Sequence, residues 1–334
     1  MDLVLNYNRM GDEPFLIMMC GLPGSGKSTF AENSININSG VRQSKPVIHS
    51  SDGLRKELYG DESTQGDANK IFNELHKRIK RDLADGKDVV YDATCIKKKQ
   101  RIQFLKELNN IPCIPVCICM ATEYSLCLHN NTKRERQVPI EVIKRMEMNW
   151  QPPHYSEGFK QITYIFSYLD ENKNIVHTNN KGKYSLGSFF ARANNFDQEN
   201  HHHSLSLGQH CEKAGQAIQK SSPDNFWLLI ATLLHDNGKL FTKTRTNSKG
   251  IDDGNCHYYQ HHCLGAYNAM FYLHSFDDIE ENDIAYVTNL IYYHMHPYNE
   301  WKQSEKAHNR DKKLLGNELY NDIQTLHVAD LFAH

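Results

Sequence analysis

The chain has 334 residues, enough for two domains of ordinary size, each with its own core. Its formal net charge of -2 excludes a bulk polyanion binder, though not an enzyme that grips only a strand end. Nine cysteines, an odd number with no zinc-ribbon spacing, exclude a disulfide framework and point to a reducing compartment.

Met1 is followed by no basic-then-apolar leader. The apolar run Phe15 to Cys20 is too short to cross a bilayer. A soluble, cytoplasmic enzyme with no membrane partner is expected. Phe15 to Cys20 instead reads as a buried parallel strand, followed by a glycine loop and a helix from about Lys27. Pro46 to His49 is a second strand. Ile71, Phe72, Leu75, Ile79 and Leu83 recur at helical spacing, and Gly86 supplies a stop. Asp88 to Asp92 is again a strand, Lys97 to Leu108 a helix, and Cys113 to Met120 a strand. A helix from Pro139 to Met148 and a strand from Ile162 to Phe166 complete an alternating pattern, which predicts a parallel sheet with flanking helices.

The polar stretch 171–187 reads as a linker between a first domain, 1–170, and a second, 188–334. Beyond it, strand-like runs nearly vanish and helical patterns such as Phe226 to Leu234 and Ile284 to Tyr293 take over. Fourteen of the nineteen histidines lie from His201 onward, so the second half differs in chemistry as well as in pattern.

Gly21-Leu22-Pro23-Gly24-Ser25-Gly26-Lys27-Ser28-Thr29 has the composition and setting of a phosphate-binding loop. Glycines admit the backbone close to phosphate, Lys27 reaches the β/γ-phosphates, and Ser28 offers its hydroxyl to Mg²⁺. The expected ligand is ATP or another nucleoside triphosphate, touched by Gly21, Gly24, Ser25, Gly26, Lys27, Ser28 and Thr29. Asp52 and Arg55 follow the second strand, at the end where open α/β sheets bind ligands. A carboxylate there is placed to take the proton of an attacking hydroxyl, and an arginine one turn on to hold an acceptor phosphate.

The loop and the Ser51-Asp52-Gly53-Leu54-Arg55 element resemble the 5′-hydroxyl polynucleotide kinase branch of P-loop phosphotransferases. The resemblance covers roughly residues 14 to 167. It implies Asp52 as general base, Arg55 on the acceptor phosphate, and Thr94, within Tyr91-Asp92-Ala93-Thr94, in a second strand-end element near substrate. Lys133 to Pro139 resembles the family's basic lid, with Arg134 and Arg136 the favoured clamps on ATP and Lys133 the alternative. Basic runs at 76–81 and 97–101 fit a nucleic-acid partner.

In the second half, His235-Asp236 closes an apolar helix, and His210, His261, His294 and Asp330 stand near other helical runs. Imidazoles and carboxylates arriving from separate helices suit a dinuclear metal centre. The ordered series resembles the HD superfamily of helical phosphohydrolases over residues 195 to 334. It implies His210, His235, Asp236, His261, His294 and Asp330 as ligands of one or two ions (Mn²⁺, Co²⁺, Ni²⁺ or Fe²⁺), with Lys239 on the substrate phosphate. His262 stands where an acid is common in that family. His202 and His203 are further candidate substrate contacts.

The whole chain resembles bifunctional kinase–HD proteins: an α/β P-loop kinase domain followed by an all-α HD-type domain. The implied function is repair of RNA or DNA strand ends, by 5′-phosphorylation and removal of 3′-phosphate or 2′,3′-cyclic phosphate. No ligase lysine motif is visible, so a separately encoded ligase is the expected partner. The alternative is a small-molecule or nucleotide kinase joined to a nucleotide phosphohydrolase or phosphodiesterase.

Overall fold

The computed structural model describes residues 3–6, 13–38, 43–61, 64, 66–108, 110–170, 172–178, 182–199 and 205–333. His202 and His203 lie outside the described residues. The chain divides into two compact units. The first is Met1–Lys144 with Glu157–Thr178, and the second is Arg145–Ser156 with Asn179–His334.

The first unit begins with β1 (Leu3–Asn6), β2 (Phe15–Cys20) and α1 (Lys27–Asn33). It continues through β3 (Ile35–Asn38), β4 (Gln43–Ser44), β5 (Val47–Ser50), α2 (Ser51–Tyr59) and α3 (Ala68–Ala84). Then come β6 (Val89–Asp92), α4 (Lys98–Glu107), β7 (Ile114–Thr122) and α5 (Tyr124–Thr132). The helix α6 (Ile140–Glu147), which begins in this unit and ends in the second, and the strands β8 (Gln161–Leu169) and β9 (Ile175–Val176) follow.

The main sheet has the order β5-β6-β2-β7-β8-β9. Its first five strands are parallel and β9 runs antiparallel to β8. All of β2 and β6 is buried, as expected of strands covered on both faces; β2 is an unbroken apolar run, while β6 ends on a buried carboxylate, Asp92. On α3, Ile71, Leu75, Ile79 and Leu83 are buried, while Phe72, read from the sequence with them, is only half-buried because it lies one residue off their stripe. The strand order reverses around β2, so its carboxyl end opens into the crevice where such sheets bind ligands. A separate ribbon of β1, β3 and β4 was not foreseen, because Ile35-Asn36-Ile37-Asn38 alternates over only four residues.

The second unit is helical: α7 (Leu186–Ala193), α8 (Leu207–Ser221), α9 (Phe226–Leu234) and α10 (Lys239–Thr242), then α11 (His261–Leu273), α12 (Glu281–Tyr293), α13 (Glu300–Gln303) and α14 (Glu305–Phe332). It is not all-α. Between α10 and α11 lies an antiparallel hairpin of β10 (Thr244–Thr246) and β11 (Asp252–His257). The Asn247 side-chain oxygen accepts the N–H groups of Lys249 and Ile251, a local turn that competes with helix. Within this unit, the fully buried Trp150 packs edge-on against Tyr267, and Asn289 donates to the Pro153 carbonyl.

Candidate phosphate sites

In the first unit, Gly24 and Gly26 adopt positive φ, turning the main chain back on itself between β2 and α1. A Cβ on Gly24 would lie 2.2 Å from the Cys127 carbonyl oxygen, so this position is reserved for glycine twice over. The loop is fixed from outside as well. Thr122 Oγ1 donates to the Ser25 carbonyl, Asn130 Nδ2 to the Gly24 carbonyl, and the Gly21 N–H to the Thr94 carbonyl. Thr94 therefore meets the loop through its main chain. Its neighbour Cys95 accepts from buried Arg101, which is itself bidentate to Glu157 at 2.7 Å on both bonds.

Lys27 Nζ folds over the loop, donating to Gly21 O at 3.1 Å and Leu22 O at 2.8 Å. Burial pulls its pKa below the ordinary lysine value, with Asp92 opposing. Ser28 Oγ donates to Asp92 Oδ2 at 2.6 Å. Asp92 ends β6 and is 4 % exposed. A loop hydroxyl paired with a strand-end carboxylate suits Mg²⁺ beside a nucleotide phosphate. The sequence reading quoted Asp92 only as part of a larger element. Its place at the end of an apolar strand was the available signal.

Asp52 lies in the first turn of α2, whose N-cap is Ser50, so the Asp52 carboxylate is not spent on capping. Three guanidinium groups converge on it. Arg55 is 2.7 Å and Arg136 3.0 Å from Oδ1, and Arg134 is 3.5 Å from Oδ2. Arg134 and Arg136 come from the segment after α5, which a single side chain brackets. Asn131 donates to the Val138 carbonyl and accepts the Val138 N–H. Both favoured lid arginines thus sit with Asp52 and Arg55.

In the second unit, five helices bring the six histidine and aspartate residues together. His210, His235 and Asp330 form one buried group, and Asp236, His261 and His294 another, each with its ligand atoms within 4.8 Å of one another. Asp236 serves both. Its Oδ2 is 3.5 Å from His210 Nε2 and 3.4 Å from His235 Nε2, while its Oδ1 is 3.2 Å from His261 Nε2 and 3.7 Å from His294 Nε2.

Three rings are oriented by one device. The Nδ1 atoms of His235, His261 and His294 lie 2.7, 2.7 and 2.6 Å from the carbonyls of Thr232, Tyr258 and Ile291, each three residues earlier. A carbonyl only accepts, so each Nδ1 carries the hydrogen and Nε2 faces the site. His261 and His294 then turn two Nε2 lone pairs toward each other at 3.2 Å. Burial pulls the His294 pKa down to about 4, so its ring stays neutral. Facing lone pairs with the Asp236 carboxylate beside them are a donor set that fits a divalent cation of the imidazole-binding kind.

Burial favours neutral His235, but Asp236 and Asp330 outweigh it and hold its pKa well above the ordinary value. For Asp236, burial opposes the charge, and Lys239 and His235 outweigh burial, keeping the carboxylate ionised. Lys239 Nζ lies 2.7 Å from Asp236 Oδ2 and 2.9 Å from Gln198 Oε1. Gly238 explains the tight turn between them. A Cβ there would be 2.0 Å from the His261 carbonyl oxygen. Asn237 ties the same turn to α11 through the Gly265 carbonyl. Burial, then His261 and His294, pull the His262 pKa down to about 2, so that ring contributes no charge to the cluster.

Loop, sheet order and strand-end acids define the first unit as a P-loop kinase-like domain. Residues 16–153 match the model of an AAA domain family. The chain is similar to protein KTI12 of Saccharomyces cerevisiae, at 21% identity over a 229-residue alignment covering 63% of this chain and 68% of that protein. Among solved structures it is similar to a candidate kinase from Chloroflexus aurantiacus, at 15% identity and a TM-score of 0.36, over 46% of this chain and 88% of that one. A gluconokinase from Sinorhizobium meliloti gives 18% identity and a TM-score of 0.31, over 46% of this chain and 83% of that one. No helix among the described residues is long and apolar enough to cross a membrane.

Proposed function

We propose that this chain heals nucleic-acid ends. The first unit transfers the γ-phosphoryl group of ATP, or another nucleoside triphosphate, to a 5′-hydroxyl of RNA or DNA. The second, read as an HD-type phosphohydrolase, removes a 3′-phosphate or opens and clears a 2′,3′-cyclic phosphate. The observation that carries this reading is the pairing in one chain of the Asp52–arginine cluster with two histidine–carboxylate groups sharing Asp236.

In the first unit, Lys27 and the loop amides hold the triphosphate, and Ser28 with Asp92 would hold Mg²⁺, which neutralises phosphate charge when bound. Asp52 takes the proton of the 5′-hydroxyl as the new O–P bond forms and ADP leaves. Arg55 holds the phosphate next to that hydroxyl, while Arg134 and Arg136 turn to the transferring group. In the second unit, His210, His235 and Asp330 would hold one cation and Asp236, His261 and His294 another. When bound there, such cations would supply Lewis-acid charge to the phosphoryl oxygens. Lys239 holds the terminal phosphate, and His202 and His203 remain proposed substrate contacts. The product, a 5′-phosphate and a 3′-hydroxyl, is the substrate of a separate ligase.

The test is one incubation with ATP, Mg²⁺ and Mn²⁺ and two oligonucleotides, one with a 5′-hydroxyl, the other with a 3′-phosphate or 2′,3′-cyclic end. Phosphate gain on the first and loss from the second are expected. Inert oligonucleotides, with nucleosides or sugars phosphorylated and mononucleotides hydrolysed, would transfer the assignment to a small-molecule kinase and nucleotide phosphohydrolase.

A further inference from the structure

Asp330 differs from the three histidines whose rings lean on main-chain carbonyls. Its Oδ1 is 3.1 Å from His210 Nε2, on the side of the first ligand group. Its Oδ2 accepts a hydrogen bond from Tyr298 Oη at 3.0 Å. The Tyr298 ring is braced edge-on by His327, with centroids 4.3 Å apart at 85°. A carboxylate with one oxygen so held is restricted in rotation, and its other oxygen stays aimed at the ligand group.

Tyr298 also has a telling place in the chain. It lies four residues after His294, which belongs to the other ligand group. One short segment therefore supplies a ligand to one cation position and the support of a ligand to the other.

We propose that Tyr298 is a positioning residue for Asp330, one that sets the affinity of the His210–His235–Asp330 cation position and not that of the Asp236–His261–His294 position. This rests on the dinuclear reading of the second unit. The phenol acts through Asp330 and touches no reacting atom.

The experiment uses the full chain, stripped with a chelator and titrated with Co²⁺ against a competing chelator, with visible absorption as the readout. The wild type should take up two equivalents. Tyr298→Phe, which keeps the ring and deletes the hydroxyl, should weaken one equivalent by about ten- to a hundredfold and leave the other in place. The effect should vanish when Tyr298→Phe is added to Asp330→Asn, because the hydroxyl would then have no carboxylate to aim. Two unchanged equivalents in Tyr298→Phe would overturn the proposal, as would equal weakening of both together with a lower melting temperature of the metal-free chain. A wild type that binds no Co²⁺ would remove the dinuclear reading itself, and the role of Tyr298 with it. Two tight wild-type equivalents and an indifferent Tyr298 would leave that reading standing and remove only the inference.

Discussion

The phosphate loop of the first unit is largely main chain, seven consecutive residues from Gly21 to Lys27 shaped by two positive-φ glycines. The histidine site of the second unit is made of side chains, six of them from five helices spread over 120 positions, from His210 to Asp330. The first kind of site depends on backbone shape, and although Lys27 and Asp92 are buried, its acceptor-side carboxylate stays partly open, with the Asp52 side chain 35% exposed. The second depends on fixed ring orientations in a closed interior, where His235 is fully buried and Asp330 is 4% exposed. Damage should therefore differ in kind: steric in the loop, electrostatic among the histidines.

The largest effects should come from exchanging the two knockouts. Lys27→Ala should lower phosphotransfer by on the order of 100- to 1,000-fold, the scale of losing one preorganised donor to the transferring group. His235→Ala should reduce phosphohydrolysis by at least as much. Each should leave the other activity within about twofold, as expected of sites that share no residue. Either single change killing both activities would end the two-site comparison. Chelation should stop both, and Mn²⁺ should restore the histidine site better than Mg²⁺.

Gly24→Ala sharpens the steric half. The Cβ meets a main-chain oxygen, so the loop must deform, at a cost of about 1–3 kcal/mol in urea unfolding and with loss of phosphotransfer. Retained activity would show a loop softer than described here. Arg136→Ala should act less severely, raising the KM for ATP by about tenfold, the scale of one charge-assisted contact. An unchanged KM with a lower kcat would assign Arg136 to the transition state alone.

The smallest effect tests a buried charge away from both sites. Burial opposes the charge on Asp82, but Lys87 at 2.9 Å and His49 at 2.8 Å outweigh it and hold its pKa down to about 2. A depressed carboxylate contributes stability above its unfolded value, near 3.8, and loses it as pH falls toward 2. Lys87 is half solvated, so screening limits the contribution to about 1 kcal/mol. Asp82→Asn should therefore lower the urea midpoint at neutral pH. The gap to wild type should close between about pH 4 and pH 2, and a gap constant over that range would remove the charge argument.

Legibility in the sequence followed the same division. Strand β2 and the loop after it were readable because the signal is contiguous: six apolar residues, then glycines. His235-Asp236 and His294 were readable because they close apolar helices and His261 because it opens one, whereas His210 and Asp330 lie inside mixed helices and came only with the resemblance. The sharing of Asp236 between two groups was not readable, since that depends on how five helices pack. Asp92 was legible only as the end of a strand, because its pairing with Ser28, 64 residues away in the chain, exists only in the fold. The β10–β11 hairpin was missed because Thr244-Arg245-Thr246 is short and polar, and its turn is set by a side-chain oxygen of Asn247. The ring orientations of His235, His261 and His294 were invisible for a related reason: the groups that fix them are carbonyls, which every residue has.

That last fact bears on how such a protein can change over generations. The acceptors behind His235, His261 and His294 belong to the peptide chain, and no single-codon substitution deletes a carbonyl. The partner of Asp330 is a phenol, which one base change in a tyrosine codon can remove. Inherited variation thus has direct access to the support of Asp330 and not to that of the three histidines. Under the proposed two-cation reading, a lineage adapting to a different supply of metals would retune one position through residue 298 while the other stays as it is.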